Sequence, residues 1–217
     1  ADGERGVKTK VEPTLQVSPG VYNDTLLAGL DYLLMEMGKR GMVAVLYLNN
    51  SWEWSGGYGF YLEHAGEGKA PRPNEDGYPA YMSFVERYAG NEKAHRLFYR
   101  HVEYILTRTN RYTGRRYVDD PAIMSWQIGN EPRAFSKAAL PAFERWLAEA
   151  SALIRRLDPN HLISVGSEGA WGCEGDYASY ERICADRNID YCNVHLWPYN
   201  WSWARADHLM ADLPAAC

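Results

Sequence analysis

One apolar run near the middle of the chain ends on side chains that could do acid–base chemistry. Residues 121–128 read P-A-I-M-S-W-Q-I, and the polar residues Asn130, Glu131 and Arg133 follow shortly after. Such a run is typical of a strand covered on both faces, and Pro132 prevents the strand from continuing. Reactive groups lie at the carboxyl ends of strands in parallel α/β architectures, so Glu131 is a candidate general acid or base. From these residues alone, a helix-capping or ion-paired glutamate fits equally well.

The elements that would position Glu131 alternate between strands and helices. Apolar runs predict strands at residues 42–48, 123–128, 162–165 and 191–196. Apolar residues at helical spacing predict helices over about residues 24–40, 91–106, 141–158, 176–186 and 202–213. Asp24 or Thr25 is the predicted cap of the first helix, and Asn91 that of the second. Residues 49–90, rich in glycine, proline and aromatic residues, are predicted as one long loop, which at that length is usually functional.

This order of elements predicts an α/β fold with a parallel sheet, because strands separated by helices form right-handed βαβ units. A doubly wound sheet and a barrel both satisfy the pattern. The barrel is favoured, since no glycine-rich phosphate turn follows any strand, whereas polar and aromatic residues follow all of them.

Composition narrows the class of partner. The chain has 217 residues, 46% of them hydrophobic, and a net charge of −5, which together predict one globular domain with a neutral ligand. Nucleic acid and anionic membranes are not expected as partners, because lysine and arginine are scattered. No apolar run approaches the roughly 20 residues that span a bilayer, and the first residues, A-D-G-E-R-G, lack the regions of a signal peptide.

Cysteine and histidine spacing gives no metal site, so we expect no metal and no organic cofactor. Cys173, Cys184, Cys192 and Cys217 allow three disulfide pairings in an oxidising compartment, although buried or free thiols are the favoured interpretation. Five of the six histidines are expected to be surface or packing residues: His64, His95, His101, His161 and His208.

Longer motifs carry a resemblance to a known family. The run at residues 108–133, R-T-N-R-Y-T-G-R-R-Y-V-D-D-P-A-I-M-S-W-Q-I-G-N-E-P-R, resembles the acid/base region of retaining glycoside hydrolase family 5 enzymes, and most of all their endo-β-1,4-mannanases. The similarity extends to residues 13–20, 48–57, 166–169 and 195–201. It implies a (β/α)8 TIM barrel, of which residues 1–217 would be a partial catalytic domain with about strands three to six. The first and last βα units would then be missing.

The resemblance also implies roles for particular residues. Retention needs two carboxyl groups roughly 5 to 5.5 Å apart, and Glu131 matches the acid/base, while the nucleophile is expected from a later strand outside this chain. For that role Glu131 must hold a proton near neutral pH, and we expect burial and a nearby carboxylate to raise its pKa. Asn130 matches the residue that binds the sugar 2-hydroxyl. His195 matches a cleft histidine two residues before an aromatic, which is Trp197 here and tyrosine in many relatives.

Other matches concern substrate binding. Arg133 and Glu168 resemble a pair on the leaving-group side, although an ordinary ion pair would look the same in sequence. Six of the eight tryptophans follow predicted strands and are candidate platforms for sugar rings: Trp52, Trp54, Trp171, Trp197, Trp201 and Trp203. Trp126 and Trp146 are better explained by core packing.

The sequence therefore predicts the central part of a secreted or periplasmic endo-β-1,4-mannanase that binds β-mannan and is inactive as the fragment alone. A sister β-1,4-glucanase is the first alternative, because both activities share the acid, the nucleophile and the barrel. A non-catalytic carbohydrate-binding relative is the second. The intact pair of Asn130 and Glu131 counts against it, and the missing second carboxylate counts for it.

Overall fold

The computed structural model describes residues 11–197. The strands are β1 (Gln16–Ser18), β2 (Val21–Tyr22), β3 (Ala44–Tyr47), β4 (Ile123–Gln127) and β5 (Leu162–Ser164). The α-helices are α1 (Asp24–Lys39), α2 (Gly57–Ala65), α3 (Pro73–Asp76), α4 (Tyr78–Val85), α5 (Glu92–Leu106), α6 (Leu140–Leu157) and α7 (Tyr177–Cys184). Short 3₁₀ turns occupy Glu53–Ser55, Glu86–Gly90, Tyr117–Asp119 and Gly169–Cys173.

A parallel sheet in the order β3-β4-β5 is the centre of the described structure. Helices connect its strands, so the predicted α/β architecture is confirmed, and three of the four predicted strands lie where the apolar runs placed them. Val45 pairs with Ser125, and Trp126 pairs with Ile163. The antiparallel pair β1-β2 lies outside this sheet.

The prediction of a fourth strand at residues 191–196 was wrong. This segment follows β5 with only scattered bonds: the Asp190 amide donates to the Ile163 carbonyl at 2.9 Å, and the His195 amide to the Ser167 carbonyl at 3.1 Å. Between them, the Gly166 amide donates a hydrogen bond to Asn193 Oδ1 at 2.9 Å. Because the Asn193 side chain accepts from the Gly166 amide, that amide does not pair with a backbone carbonyl of residues 191–196, and no regular ladder forms.

The expectation that the central strand β4 is covered on both faces holds for most of its length, because Ser125 and Trp126, which are successive residues on opposite faces, are both 0% exposed. Trp126 and Ile163 are fully buried in the main core cluster. The neighbouring strand β3 is open on one face, where Val45 and Tyr47 are 41% and 53% exposed, and Met124 in β4 is 39% exposed. Side chains alternate along a strand, so Val45 and Tyr47 lie on the face opposite Leu46, which packs against the core.

Residues 49–90 are largely helical, which corrects the prediction of one long loop. Several of their glycines and prolines lie at helix ends: Gly57 begins α2, and Pro79 lies in the first turn of α4. Their aromatic side chains form a second part of the core, in which the Tyr58 and Tyr88 rings stack at 3.9 Å and both meet Trp146 edge-on. The composition of a loop thus concealed a packed helical layer.

The helix ends follow the sequence closely. The Asn23 side chain caps α1 by accepting from the amides of Thr25 and Leu26, so the predicted cap at Asp24 or Thr25 was displaced by one or two residues. Asn91 caps α5 as predicted. Helix α6 has a proline in its first turn and ends before Pro159, and Asp176 caps α7.

The favoured interpretation of the cysteines as free thiols was wrong for one pair. Cys184 at the end of α7 forms a disulfide with Cys192, whereas Cys173 is a buried free thiol. Cys217 and the predicted helix at residues 202–213 lie outside the described residues. Within residues 11–197, no helix combines the length and the apolar character that a membrane span requires.

A buried polar network fixes the end of α6 to the sheet. Asp158 accepts from Trp126 Nε1 at 2.7 Å and lies 2.6 Å from His161 Nδ1. The other ring nitrogen of His161 lies 3.0 Å from the Asp120 carbonyl oxygen. Since both neighbours accept, the ring donates from both nitrogens and is held as a cation. Burial lowers the pKa of His161, but the bond to Asp158 raises it, and the net pKa lies above its usual value.

This network predicts a pH-dependent stability. A histidine with a raised folded pKa contributes stability that is fully present below the unfolded pKa of ~6.5 and is lost as the pH rises through the folded pKa. We therefore expect the destabilisation caused by His161→Gln, measured by urea unfolding, to shrink as the pH increases. The exposed His64→Gln serves as the control. A destabilisation by His161→Gln that stays constant with pH would contradict the buried cation.

Candidate active site at the carboxyl edge of the sheet

The carboxyl ends of the three paired strands converge on Glu131. Beyond β3 and β4 the parallel pairing continues as a bridge between Asn50 and Asn130. The Asn130 amide donates to the Asn49 carbonyl at 2.8 Å, and the Glu131 amide donates to the Gly166 carbonyl at 2.9 Å. Glu131 is therefore held from both sides by the ends of β3 and β5.

Gly166 makes this convergence sterically feasible. Its φ is +84°, and a Cβ placed there would lie 1.8 Å from the Gly129 carbonyl oxygen. Any side chain would thus push the end of β5 away from the end of β4. Only glycine satisfies both the left-handed backbone and the close approach.

Three ring nitrogens surround the Glu131 carboxylate. Trp52 Nε1 donates to Oε2 at 2.8 Å, while His195 Nδ1 lies 3.0 Å from Oε1 and Trp197 Nε1 donates to the same oxygen at 3.4 Å. The structure thus brings together four of the residues singled out in the sequence. The indole of Trp197 supplies an N–H to the site, as its donor group allows.

The pKa of Glu131 is lowered, so the expectation that burial and a nearby carboxylate would raise it was wrong for the described residues. Burial does raise the pKa of Glu131, but the hydrogen bonds from His195, Trp52 and Trp197 together lower it below its usual value. The bond to Glu131 raises the pKa of His195, against the effect of burial. The N–H donors thus favour the charged carboxylate of Glu131, and that carboxylate in turn favours the protonated form of His195.

Glu168 behaves in the opposite way. It is 5% exposed, and no hydrogen-bond partner for its Oε2 occurs within residues 11–197. Burial, together with the negative charge of Glu131, raises the pKa of Glu168 to about 7. Two acidic side chains at one edge of the sheet thus have pKa values shifted in opposite directions.

Arg133 has a partner that the sequence did not indicate. Its Nη1 lies 4.0 Å from Glu168, but its Nε donates to Glu174 at 2.9 Å, so Glu174 is the closer ion-pair partner. Its guanidinium also lies 5.8 Å from the ring centroids of both Phe135 and Trp171. Glu174 has a positive φ of 54°, which sequence spacing does not reveal.

The candidate sugar platforms divide into two groups. Trp52 and Trp54 stack on each other with ring centroids 5.8 Å apart, and the edges of Tyr78 and Phe135 pack against Trp52. Trp171 and Trp197 are 41% and 52% exposed, so they present ring surface to solvent. Trp201 and Trp203 lie outside the described residues. The predictions for Trp126 and Trp146 as core residues are confirmed, with exposures of 0% and 1%.

Comparison with known proteins decides the family. The family model for "GH family 5 beta-mannosidase-like" proteins matches residues 1–217. The chain belongs to glycoside hydrolase family 5. The resemblance drawn from its motifs is therefore confirmed.

Relatives of this family 5 chain are longer than the chain itself. It is 31% identical over 201 residues to mannan endo-1,4-beta-mannosidase 4 of Oryza sativa subsp. japonica, covering 87% of this chain and 41% of that protein. A family 5 mannosidase variant from Rhizomucor miehei, solved with mannosyl-fructose, matches with a TM-score of 0.83 and 32% identity over 98% of this chain and 52% of that one. The chain thus spans about half the length of the relatives it matches.

A second fold neighbour is the endo-1,4-beta-mannanase of Rhizomucor miehei, with a TM-score of 0.71 and 27% identity over 89% of this chain and 58% of that one. The neighbours are (β/α)8 enzymes of family 5, and the paired strands β3, β4 and β5 form part of that fold. The predicted architecture is confirmed at this level.

The raised pKa of Glu168 generates a prediction. Because burial and the charge of Glu131 disfavour the carboxylate of Glu168, one glutamate of residues 1–217, expressed alone, should titrate near pH 7 when side-chain carboxyl carbons are followed by carbon-13 NMR. Glu168→Gln should remove this titration, whereas Glu181→Gln, on the exposed surface of α7, should leave it unchanged. A titration near pH 7 that persists in Glu168→Gln would show that the assignment is wrong.

Proposed function

We propose that the full-length protein containing this chain hydrolyses β-1,4-mannosidic bonds with retention of configuration, and that Glu131 is its acid/base. One observation carries the proposal: Glu131 lies at the carboxyl edge of a parallel sheet, where the ring nitrogens of Trp52, His195 and Trp197 converge on its side chain. Reactive groups of parallel α/β enzymes lie at this edge.

In the first step, Glu131 donates a proton to the glycosidic oxygen while a nucleophilic carboxylate attacks the anomeric carbon and the bond to the leaving group breaks. In the second step, Glu131 takes a proton from water, and the hydroxide that forms displaces the carboxylate. The described surroundings of Glu131 lower its pKa on balance, whereas the second carboxylate would have the opposite effect. Its negative charge beside Glu131 would raise the pKa of Glu131 and favour the protonated acid.

The remaining site residues are proposed to bind substrate. Asn130 Nδ2 contacts the Asn50 side chain at 3.4 Å, which orients the amide beside Glu131 for a sugar 2-hydroxyl. Arg133 and Glu168 would act on the leaving-group side, with Glu174 holding the guanidinium. The aromatic platforms are Trp52, Trp54, Trp171, Trp197 and Trp201, the last lying outside the described residues.

The preference for mannan rests on the relatives. The Oryza protein is named a mannan endo-1,4-beta-mannosidase, and the Rhizomucor neighbour was solved with mannosyl-fructose. We therefore propose internal bonds of mannan, glucomannan or galactomannan as substrate. The β-1,4-glucanase alternative shares all of the acid–base geometry, so only substrate comparison separates the two.

An exo-acting β-mannosidase is a second candidate for a specific reason. The Rhizomucor mannosidase matches this chain with a TM-score of 0.83, above the 0.71 of the endo-mannanase from the same organism. The family model is also described as β-mannosidase-like. Product analysis distinguishes the two: single mannose units from chain ends indicate exo action, and mixed oligosaccharides indicate endo action.

We also propose that β3, β4, β5 and the segment at residues 191–196 correspond to strands three to six of the barrel. In that arrangement the nucleophile belongs to a later strand of the full-length protein, and residues 1–217 alone do not turn over substrate. The disulfide between Cys184 and Cys192 supports export to an oxidising compartment, because such bonds are rare in reducing cytosol.

Replacing the acid tests the role of Glu131. In the full-length protein, Glu131→Gln removes the proton donor and should lower kcat/KM for mannan by a factor on the order of 10² to 10⁴. Aryl mannosides with good leaving groups need little protonation and should lose much less in the first step. Glu181→Gln controls for the loss of a glutamate. Unchanged mannan hydrolysis by Glu131→Gln would refute the assignment.

Substrate preference follows from the same proposal. We expect kcat/KM of the full-length protein to be higher on mannohexaose than on cellohexaose, because the relatives are mannan hydrolases. Initial rates from product chromatography give both values under one condition. A higher value on cellohexaose would support the glucanase, and turnover of neither would support the non-catalytic relative.

A further inference from the structure

The backbone of Glu131 adopts a conformation that its sequence disfavours. Its φ is +50°, in the left-handed region that side-chain-bearing residues rarely occupy. Pro132 follows directly, and a residue before proline is normally extended with a negative φ. Such a conformation persists only where surrounding contacts hold it. The residues that supply those contacts therefore determine where the carboxyl group points.

Ser51 contacts Glu131 through the backbone. Its hydroxyl donates to the Glu131 carbonyl oxygen, and its amide donates to the Asn130 carbonyl at 3.3 Å. The Glu131 amide is bound on the other side by the Gly166 carbonyl. Both polar groups of the Glu131 backbone are thus occupied, one by the end of β5 and the other by a side chain that follows β3.

Ser51 is itself held in place from the helical layer. Its side chain is fully buried, and the hydroxyl of Tyr81 in α4 donates to its carbonyl oxygen at 2.9 Å. Tyr81 is 1% exposed. A chain of two hydrogen bonds therefore runs from α4 through Ser51 to the backbone of Glu131.

We propose that Ser51 is a positioning residue for the acid/base, and that Tyr81 supports it. This inference rests on the proposed role of Glu131. The Ser51 hydroxyl holds the left-handed backbone that aims the Glu131 carboxyl at Trp52 and His195. Without the hydroxyl, the segment before Pro132 relaxes toward the extended conformation, and the carboxyl group moves away from the glycosidic oxygen. The loss of activity should therefore appear in the step in which Glu131 donates its proton, rather than in substrate binding.

The test uses the full-length protein and a series of aryl β-mannobiosides, from 2,4-dinitrophenyl to phenyl. Ser51→Ala should lower kcat/KM for the phenyl compound by roughly tenfold or more, since a small misplacement of a catalytic group is costly. The dinitrophenyl compound needs little protonation, so its kcat/KM should stay within about twofold. Tyr81→Phe should give the same leaving-group dependence with a smaller loss.

Ser164→Ala is the matched control. Ser164 is a fully buried serine in β5 whose hydroxyl has no hydrogen-bond partner within residues 11–197. Its replacement tests the effect of removing a buried hydroxyl near the sheet edge without touching Glu131. Rates of Ser164→Ala should therefore show no added dependence on the leaving group.

The outcomes separate the two proposals. Equal losses on all leaving groups in Ser51→Ala, or losses matching those of Ser164→Ala, overturn the positioning role when Glu131→Gln still shows the steep dependence. A Glu131→Gln variant without that dependence overturns the acid/base assignment and the positioning role with it. If Ser51→Ala does not fold, Tyr81→Phe decides, because it weakens the support of Ser51 and leaves the Ser51 hydroxyl in place.

Discussion

The close approach of backbones at the carboxyl edge of the sheet is the constraint on which the rest of the structure depends. A Cβ on Gly166 would lie 1.8 Å from the Gly129 carbonyl oxygen, and a Cβ on Gly57 would lie 1.8 Å from the Asn50 carbonyl oxygen. Both glycines have positive φ values, +84° and +57°. Because Gly166 carries no side chain, the ends of β4 and β5 lie close enough for the Glu131 amide to donate to the Gly166 carbonyl.

The helices between β3 and α5 supply the support for that edge. Their tyrosines stack and pack edge-on around Trp146, and such aromatic pairs contribute about 0.5–1.5 kcal/mol each beyond the area they bury. The same layer carries Tyr81, which bonds to Ser51, and Tyr78, which packs against Trp52. A segment with the composition of a loop thus forms a packed helical layer beside the candidate acid.

The surroundings of two carboxyl groups at this edge shift their pKa values in opposite directions. Glu131 receives three ring N–H donors and has a lowered pKa, whereas buried Glu168 has a pKa raised to about 7. Environments that make the pKa values of two acids differ are a common feature of acid–base sites. For the acid role proposed for Glu131, a further carboxylate beside it would reverse the shift of its pKa by like-charge repulsion. The assignment of roles thus depends on charges contributed by more than one strand.

The sequence alone determined the alternation of helices and strands, the cap at Asn91, and the family, because these follow from local periodicity, capping chemistry and contiguous motifs. It also marked Glu131, His195, Trp52 and Trp197 as members of one site. Only the tertiary structure decided the disulfide between Cys184 and Cys192, the irregular path of residues 191–196 and the helical state of residues 49–90. It alone decided the bond from Ser51 to Glu131 and the partner Glu174 of Arg133. These features depend on contacts between residues far apart in the chain or on backbone angles such as the +50° of Glu131, which side-chain spacing does not encode.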